Sequence, residues 1–275
     1  MKTLNFVICA VLLVGNASAQ SRFVPIVDLP VGGLIGGSLD GKWVDASTAA
    51  KRVKKGDAFN WYLLNGTTIS GVQIKEVEIA EPCEDFYSAT FDTASMGLDD
   101  GDRPEGTALG AALNWDPTPR DPVALSDAAA KSTYSKIVAG ILRKNGLLKT
   151  VPKNIRAWRI DLDGDGVEEV ILQSQTWGDS IQPQAKAGNY SIIVLRKIVA
   201  GKVVDQIISS DYVKKNVEFG APNRYRLSSI ADLNGDGKME FTIFGEYYEG
   251  GGTQAYEMKG NKAVEIKELQ AACGV

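Results

Sequence analysis

The 275-residue chain contains no histidine. That absence removes the usual general base of serine and cysteine hydrolases and the commonest ligand of catalytic zinc. A carboxylate-based glycosidase mechanism survives the filter. Cysteine is scarce: of three, Cys9 lies inside an N-terminal apolar run, leaving Cys83 and Cys273. Long hydrophobic runs are lacking as well, and the apolar residues 4–14 fall short of the roughly 18–20 that a bilayer span requires. No block of one charge stands out among 30 basic and 34 acidic residues. The basic stripe that nucleic acid or an anionic membrane would attract is therefore missing. What remains, 44% hydrophobic and 23% charged residues with 29 glycines, is the make-up of a globular protein rich in tight turns.

The N-terminus reads as an export signal. Lys2 opens it, residues 4–14 form the apolar stretch, and Ala17-Ser18-Ala19 offers small residues for cleavage before Gln20. Cleavage leaves 29 basic and 34 acidic residues, a formal charge of −5, and no membrane span in the mature chain. Periplasm, cell surface or medium is the expected location. An oxidising compartment makes a Cys83–Cys273 disulfide the expectation, with two separate buried thiols as the alternative.

The fold class expected is α+β, dominated by β structure. Residues 20–40 read as a loosely packed, glycine-rich lead-in, and residues 45–55 as a short helix. The alternation of Phe59, Trp61 and Leu63, the turn at Asn65-Gly66, and then Val72, Ile74, Val77 and Ile79 predict strands. Together these make a small N-terminal β unit over 20–94. Residues 95–122, broken by glycine and proline, read as a linker, with Asp99-Asp100-Gly101-Asp102 as a solvated acidic turn. Over 123–275 a helix is followed by a repeat. Ser126 or Asp127 caps the helix, Tyr134, Ile137, Val138, Ile141 and Leu142 form its apolar stripe, and Asn145-Gly146 stops it. Each copy of the repeat is a strand, an acidic loop, then three further strands. The loops begin at Asp161 and Asp232. Two blade-like antiparallel units of this kind predict a partial, propeller-like arrangement.

The two loops carry the chemistry. Calcium takes six to eight oxygens at about 2.3–2.6 Å and tolerates mixed ligands. Side-chain oxygens at positions 1, 3, 5 and 9, with a carbonyl at position 7, come from Asp161, Asp163, Asp165, Val167 and Glu169 in the first loop. Asp232, Asn234, Asp236, Lys238 and Glu240 supply them in the second. Glycine at positions 4 and 6 lets the backbone curl. An EF-hand would need a bidentate Glu at position 12, where Leu172 and Ile243 stand instead. Two calcium sites are expected, the second weaker because Asn234 lowers its charge.

At these residues the chain resembles the FG-GAP/VCBS-type calcium repeats, related to the integrin α-chain N-terminal propeller. The resemblance rests on Asp232-Leu233-Asn234-Gly235-Asp236-Gly237 with Glu240, on the same form at Asp161–Glu169, and on Phe219-Gly220 upstream. It covers residues 150–270 and implies structural calcium in a binding or adhesion protein. Two copies do not close a propeller ring, so either the N-terminal half supplies degenerate blades or the C-terminal half is an open two-sheet unit. The helix over 126–145, out of place in a plain propeller, favours the second.

Three functions compete. The first is a calcium-stabilised binding or adhesion module for a protein or glycan ligand, with Trp177, Asp179, Tyr247 and Tyr248 as a candidate ligand surface. The second is a polysaccharide-active enzyme using Glu246, Glu249 or Asp179, although no catalytic residue is assigned. The third is a stability or inhibitor protein of the cell envelope.

Overall fold

A computed structural model describes residues 22–94, 103–178 and 180–274. The export signal, the acidic turn at 99–102 and Asp179 lie outside the described residues.

The first strands are β1 (Phe23–Asp28), β2 (Gly33–Leu39) and β3 (Lys42–Val44), followed by the short helix α1 (Ala46–Ala50). Asp45 caps α1 by accepting the Thr48 amide at 2.7 Å. Next come β4 (Ala58–Leu63), β5 (Thr68–Ile79), β6 (Tyr87–Phe91) and β7 (Gly106–Gly110). The sheet order is β1-β7-β4-β5-β6-β2-β3, and β1 also pairs with β2, so six strands close a barrel and β3 extends it. The seam between β2 and β6 is thin, with Gly33 opposite Ser88.

Two sequence expectations fail in this region. Residues 20–40 are not a loose lead-in, because β1 and β2 are barrel strands buried almost throughout. Val27 and Leu34 face the barrel interior, while Val24, Ile26 and Ile35 face the next layer. A strand buried on both sides shows no polar alternation, which hid it. Nor is 95–122 only a linker, since β7 completes the barrel. Its terminal glycines mark close approach: a Cβ at Gly106 would lie 2.7 Å from the Tyr62 carbonyl, and one at Gly110 2.8 Å from Pro25.

The rest follows the expected order. After β8 (Val123–Ala124) comes α2 (Asp127–Lys144), capped by Ser126, with Tyr134, Val138, Ile141 and Leu142 buried. Four strands follow: β9 (Arg156–Ile160), β10 (Glu169–Gln175), β11 (Tyr190–Val199) and β12 (Lys202–Tyr212). The second set is β13 (Arg224–Ala231), β14 (Glu240–Tyr247), β15 (Gly250–Lys259) and β16 (Lys262–Gly274). Each set is an antiparallel meander in chain order, the first extended by β8. A propeller is not seen among the described residues.

The layers stack as barrel, second meander, first meander, α2. Apolar side chains fill each gap. Ile26, Ile35 and Leu109 meet Ile266 and Leu269 between barrel and second meander. Ile171, Ile193 and Leu195 meet Leu227, Phe241 and Ile243 between the meanders. Val138 and Leu142 of α2 cover Leu172 and Ile192. The Cys83–Cys273 disulfide forms, joining the barrel loop before β6 to β16 across 190 residues. A closed loop of that size typically contributes about 2–5 kcal/mol.

Candidate metal centre

Both acidic loops are the β-to-β corners of their meanders, β9 to β10 and β13 to β14. They share one internal hydrogen-bond pattern. In the first, Asp161 accepts the amides of Gly164 (2.8 Å), Asp165 (3.1 Å) and Gly166 (3.0 Å), Asp165 accepts Val167 N (2.8 Å), and Glu169 Oε2 accepts Leu162 N (2.9 Å). In the second, Asp232 accepts Gly235 N (2.7 Å) and Gly237 N (2.9 Å), Asp236 accepts Lys238 N (2.8 Å), and Glu240 Oε2 accepts Leu233 N (2.8 Å). Asn234 adds a bond from Asp236 N at 3.0 Å. The glycines at positions 4 and 6 all have φ between 77° and 83°, a conformation that favours glycine.

The loops touch. Met239 N donates to the Leu162 carbonyl at 2.7 Å. Arg120 bridges them, with Nε on the Asp161 carbonyl (2.6 Å) and an η-nitrogen on the Gly237 carbonyl (2.8 Å). The stretch before Arg120 straps the second loop: Trp115 Nε1 donates to the Asp232 carbonyl at 2.9 Å, and Asp232 N donates to the Pro117 carbonyl at 2.7 Å. Arg22 lies over the Trp115 ring, 4.3 Å from its centroid. Part of the segment read as a linker is thus the brace of the acidic corners.

Their electrostatics differ. In the first loop, Lys197 of β11 places Nζ 2.7 Å from Glu169 Oε1, 2.8 Å from Asp163 Oδ2 and 3.5 Å from Asp165 Oδ2. Its side chain is only 5% exposed. Burial works against the ammonium charge, but the bonds from Asp163 and Glu169 outweigh it and hold Lys197 above the ordinary lysine value. Burial raises Glu169, with Lys197 pulling the other way. One oxygen each from Asp161, Asp163 and Glu169 lie within 4.8 Å of one another, a spacing a cation can use. Asp163 Oδ1 is buried without a hydrogen-bond partner.

In the second loop, among the described residues, no lysine or arginine pairs with Asp232, Asp236 or Glu240. Glu240 is 1% exposed. Burial first, then the charges of Asp236, Asp232 and Glu257, push its carboxyl well above the usual range. Burial and Asp236 raise Asp232 as well, against the amides that it accepts. Its acids do not close into a tight group of three as in the first loop, since Asn234 replaces the acid at position 3. Val167 and Lys238 stand at position 7 of their loops on exposed turns.

The candidate ligand surface divides. Trp177 is 8% exposed and packs on Ile181, Ala185 and Val213, so it is part of a small core and not an outward-facing platform. Tyr247 lines a groove of about 450 Å³ beside the disulfide, with Tyr225, Asn223, Gln254 and Gln270 among its walls. Tyr248 is 39% exposed and meets Tyr247 edge-on, with centroids 6.0 Å apart. Glu246 is clamped by Arg224 (2.6 Å) and Arg226 (3.3 Å). Arg224 also donates to the Gly178 carbonyl, so it ties together the segments that follow β10 and end β14. Lys197 and Arg120 are the residues that sequence reasoning missed. A lone Arg-Lys pair inside the apolar run of β11 was the available signal for Lys197.

No family model matches the chain, and no curated protein or solved structure resembles it at a significant level.

Proposed function

We propose that the chain is an exported calcium-binding module of the FG-GAP/VCBS kind over residues 150–270, serving adhesion or interaction at the cell envelope. Calcium is proposed for the second loop, with Asp232, Asn234, Asp236, Glu240 and the Lys238 carbonyl as ligands. The observation that carries this reading is that Asp232 and Glu240 are buried beside the exposed Asp236, a like-charged set with no basic partner among the described residues. A divalent ion relieves both the burial cost and the repulsion. The Cys83–Cys273 disulfide fits an oxidising compartment and so supports export. For the ligand surface the reading favours Tyr247 and Tyr248 over the buried Trp177. Tyrosine rings beside asparagine and glutamine amides suit a glycan or a polar peptide. An enzymatic role for Glu246 is disfavoured, because two arginines already engage it.

Thermal unfolding with and without chelator tests the calcium part. Calcium in hundredfold excess over Kd adds about 2.7 kcal/mol, or about 5–10 °C for a chain of this size. An unchanged Tm together with no binding heat would reject it. Binding to a glycan array or to envelope extract, lost on Tyr247→Ala and Tyr248→Ala, tests the interaction part. Binding unaffected by both substitutions would remove the surface from consideration.

A further inference from the structure

The two meanders place their loops in the same register but fill one position with opposite charge. In the first, Val170 pairs with Arg196, so the next step sets Glu169 opposite Lys197. In the second, Phe241 pairs with Tyr256, so the next step sets Glu240 opposite Glu257. Position 9 of each loop therefore faces a lysine in one repeat and a glutamate in the other. Glu257 acts on Glu240 as a like charge and is itself paired outward, to the exposed Lys259 at 2.7 Å.

We propose that Lys197 is a built-in cation that takes the place of the ion in the first loop, so that the chain binds one calcium and not two. This inference rests on the calcium reading above. The three carboxylates within reach of Nζ are those at positions 3, 5 and 9, the side chains a calcium ion in this loop would draw on. The remaining acid, Asp161, turns both oxygens to loop amides, as Asp232 does in the second loop. Nζ is a full positive charge at hydrogen-bond distance from two of these groups, on a side chain only 5% exposed. A calcium ion at about 2.3–2.6 Å from the same oxygens would need the volume the ammonium fills. In the first loop Lys197 stands among Asp163, Asp165 and Glu169. The second loop, with the same internal bonds, has Glu257 and no lysine at the matching position. The ranking expected from sequence, with the first loop the stronger, is inverted.

The test uses the full processed chain with its disulfide intact, stripped with chelator and titrated with calcium chloride by calorimetry, with terbium luminescence as a second readout. Wild type is expected to bind one calcium. Asp232→Ala weakens that site at least a hundredfold, while Asp163→Asn leaves it within about twofold. Lys197→Gln gains a second site, which the added Asp161→Ala removes. Two sites in wild type would overturn the proposal, as would one site that survives Asp232→Ala but not Asp163→Asn. A folded Lys197→Gln variant that gains nothing would overturn it while leaving calcium in the second loop intact. The converse, no calcium bound by wild type but one by Lys197→Gln, would reject the proposed function and keep the lysine's role. Should Lys197→Gln fail to fold, the paired Asp232→Ala and Asp163→Asn measurements on the wild-type background still decide.

Discussion

The two meanders share strand order, corner loops, glycine positions and most loop hydrogen bonds, yet each handles its buried acids differently. The first keeps Lys197 inside, as a fourth partner from a neighbouring strand. The second leaves Asp232, Asp236 and Glu240 without a basic partner among the described residues and sets Glu257, paired to the exposed Lys259, opposite Glu240. Loops of the same form thus meet different charges from the adjacent strand, a lysine in one repeat and a glutamate in the other. Similar loop text does not imply similar surroundings.

The largest effect that can break this comparison is on stability in chelator. Lys197→Met leaves Glu169 buried, and Asp163 half-buried, without their cation, and removing one member of a buried ion pair costs about 3–5 kcal/mol. Glu257→Gln, whose partner Lys259 is exposed, should cost less than about 1 kcal/mol. Urea melts of both variants, run with and without calcium, measure the difference. Calcium in excess should return part of the loss to Lys197→Met, because it opens the first loop to the ion. Equal costs for the two substitutions would mean that the lysine is not structural.

A smaller effect concerns Asp28, which stands where the barrel meets the second meander. Fully buried, it accepts Ser228 Oγ (2.6 Å), Thr253 Oγ1 (2.6 Å) and Thr242 Oγ1 (3.3 Å), with no basic group among its described partners. Burial raises its pKa above the ordinary 3.8, and these hydroxyls only partly compensate. A carboxyl whose pKa is higher in the folded state holds its proton better there than in the unfolded chain. Its contribution to stability is fullest at low pH, falls as pH rises from about 4 through the raised value, and is constant beyond. Asp28→Asn lacks that slope. The variant should gain on wild type as pH rises from 4 to 7, read from urea midpoints at each pH. A loss relative to wild type over the same interval would show that the carboxylate is favoured in its hydroxyl cage. Unlike the first loop, which solves the same problem with a lysine, this site uses only neutral donors.

How much of this was legible in the sequence depended on local contrast. The hairpin through Asn65-Gly66, α2 between Ser126 and Asn145, and all eight meander strands could be read because turn residues or alternation mark their limits; the cysteine pair was expected from the export signal and from there being two cysteines beyond it. The strands β1, β2 and β7 could not. Val24, Ile26, Val27, Leu34, Ile35 and Leu109 are buried between barrel interior and second meander, and glycines at Gly33, Gly106 and Gly110 are there for close approach while looking like breaks. The loop acids could be placed from spacing alone, and the structure brings Asp161, Asp163 and Glu169 together in the first loop. The lysine among the first loop's acids was not legible, because Lys197 lies 28 residues beyond Glu169 and reaches it only through the β10–β11 register. Trp177 shows the same limit: an aromatic beside an acid looks like a ligand platform until Ile181, Ala185 and Val213 are seen to cover it.

The smallest effect should sharpen the comparison by acting on both corners alike. Arg120 donates to a carbonyl in each loop, Asp161 in one and Gly237 in the other, and a charged donor to a half-exposed carbonyl is worth about 1 kcal/mol net. Arg120→Ala should lower stability by about that amount in chelator. It should also loosen the junction where Met239 N meets the Leu162 carbonyl, so hydrogen exchange at the Met239 amide should quicken. Lys197→Met, by contrast, should speed exchange at Leu162 N, which Glu169 accepts, more than at Leu233 N, which Glu240 accepts. If Arg120→Ala loosened one corner only, the loops would be independent units that happen to touch. If it loosened both, the strap from Trp115 to Arg120 is the element that couples the two corners.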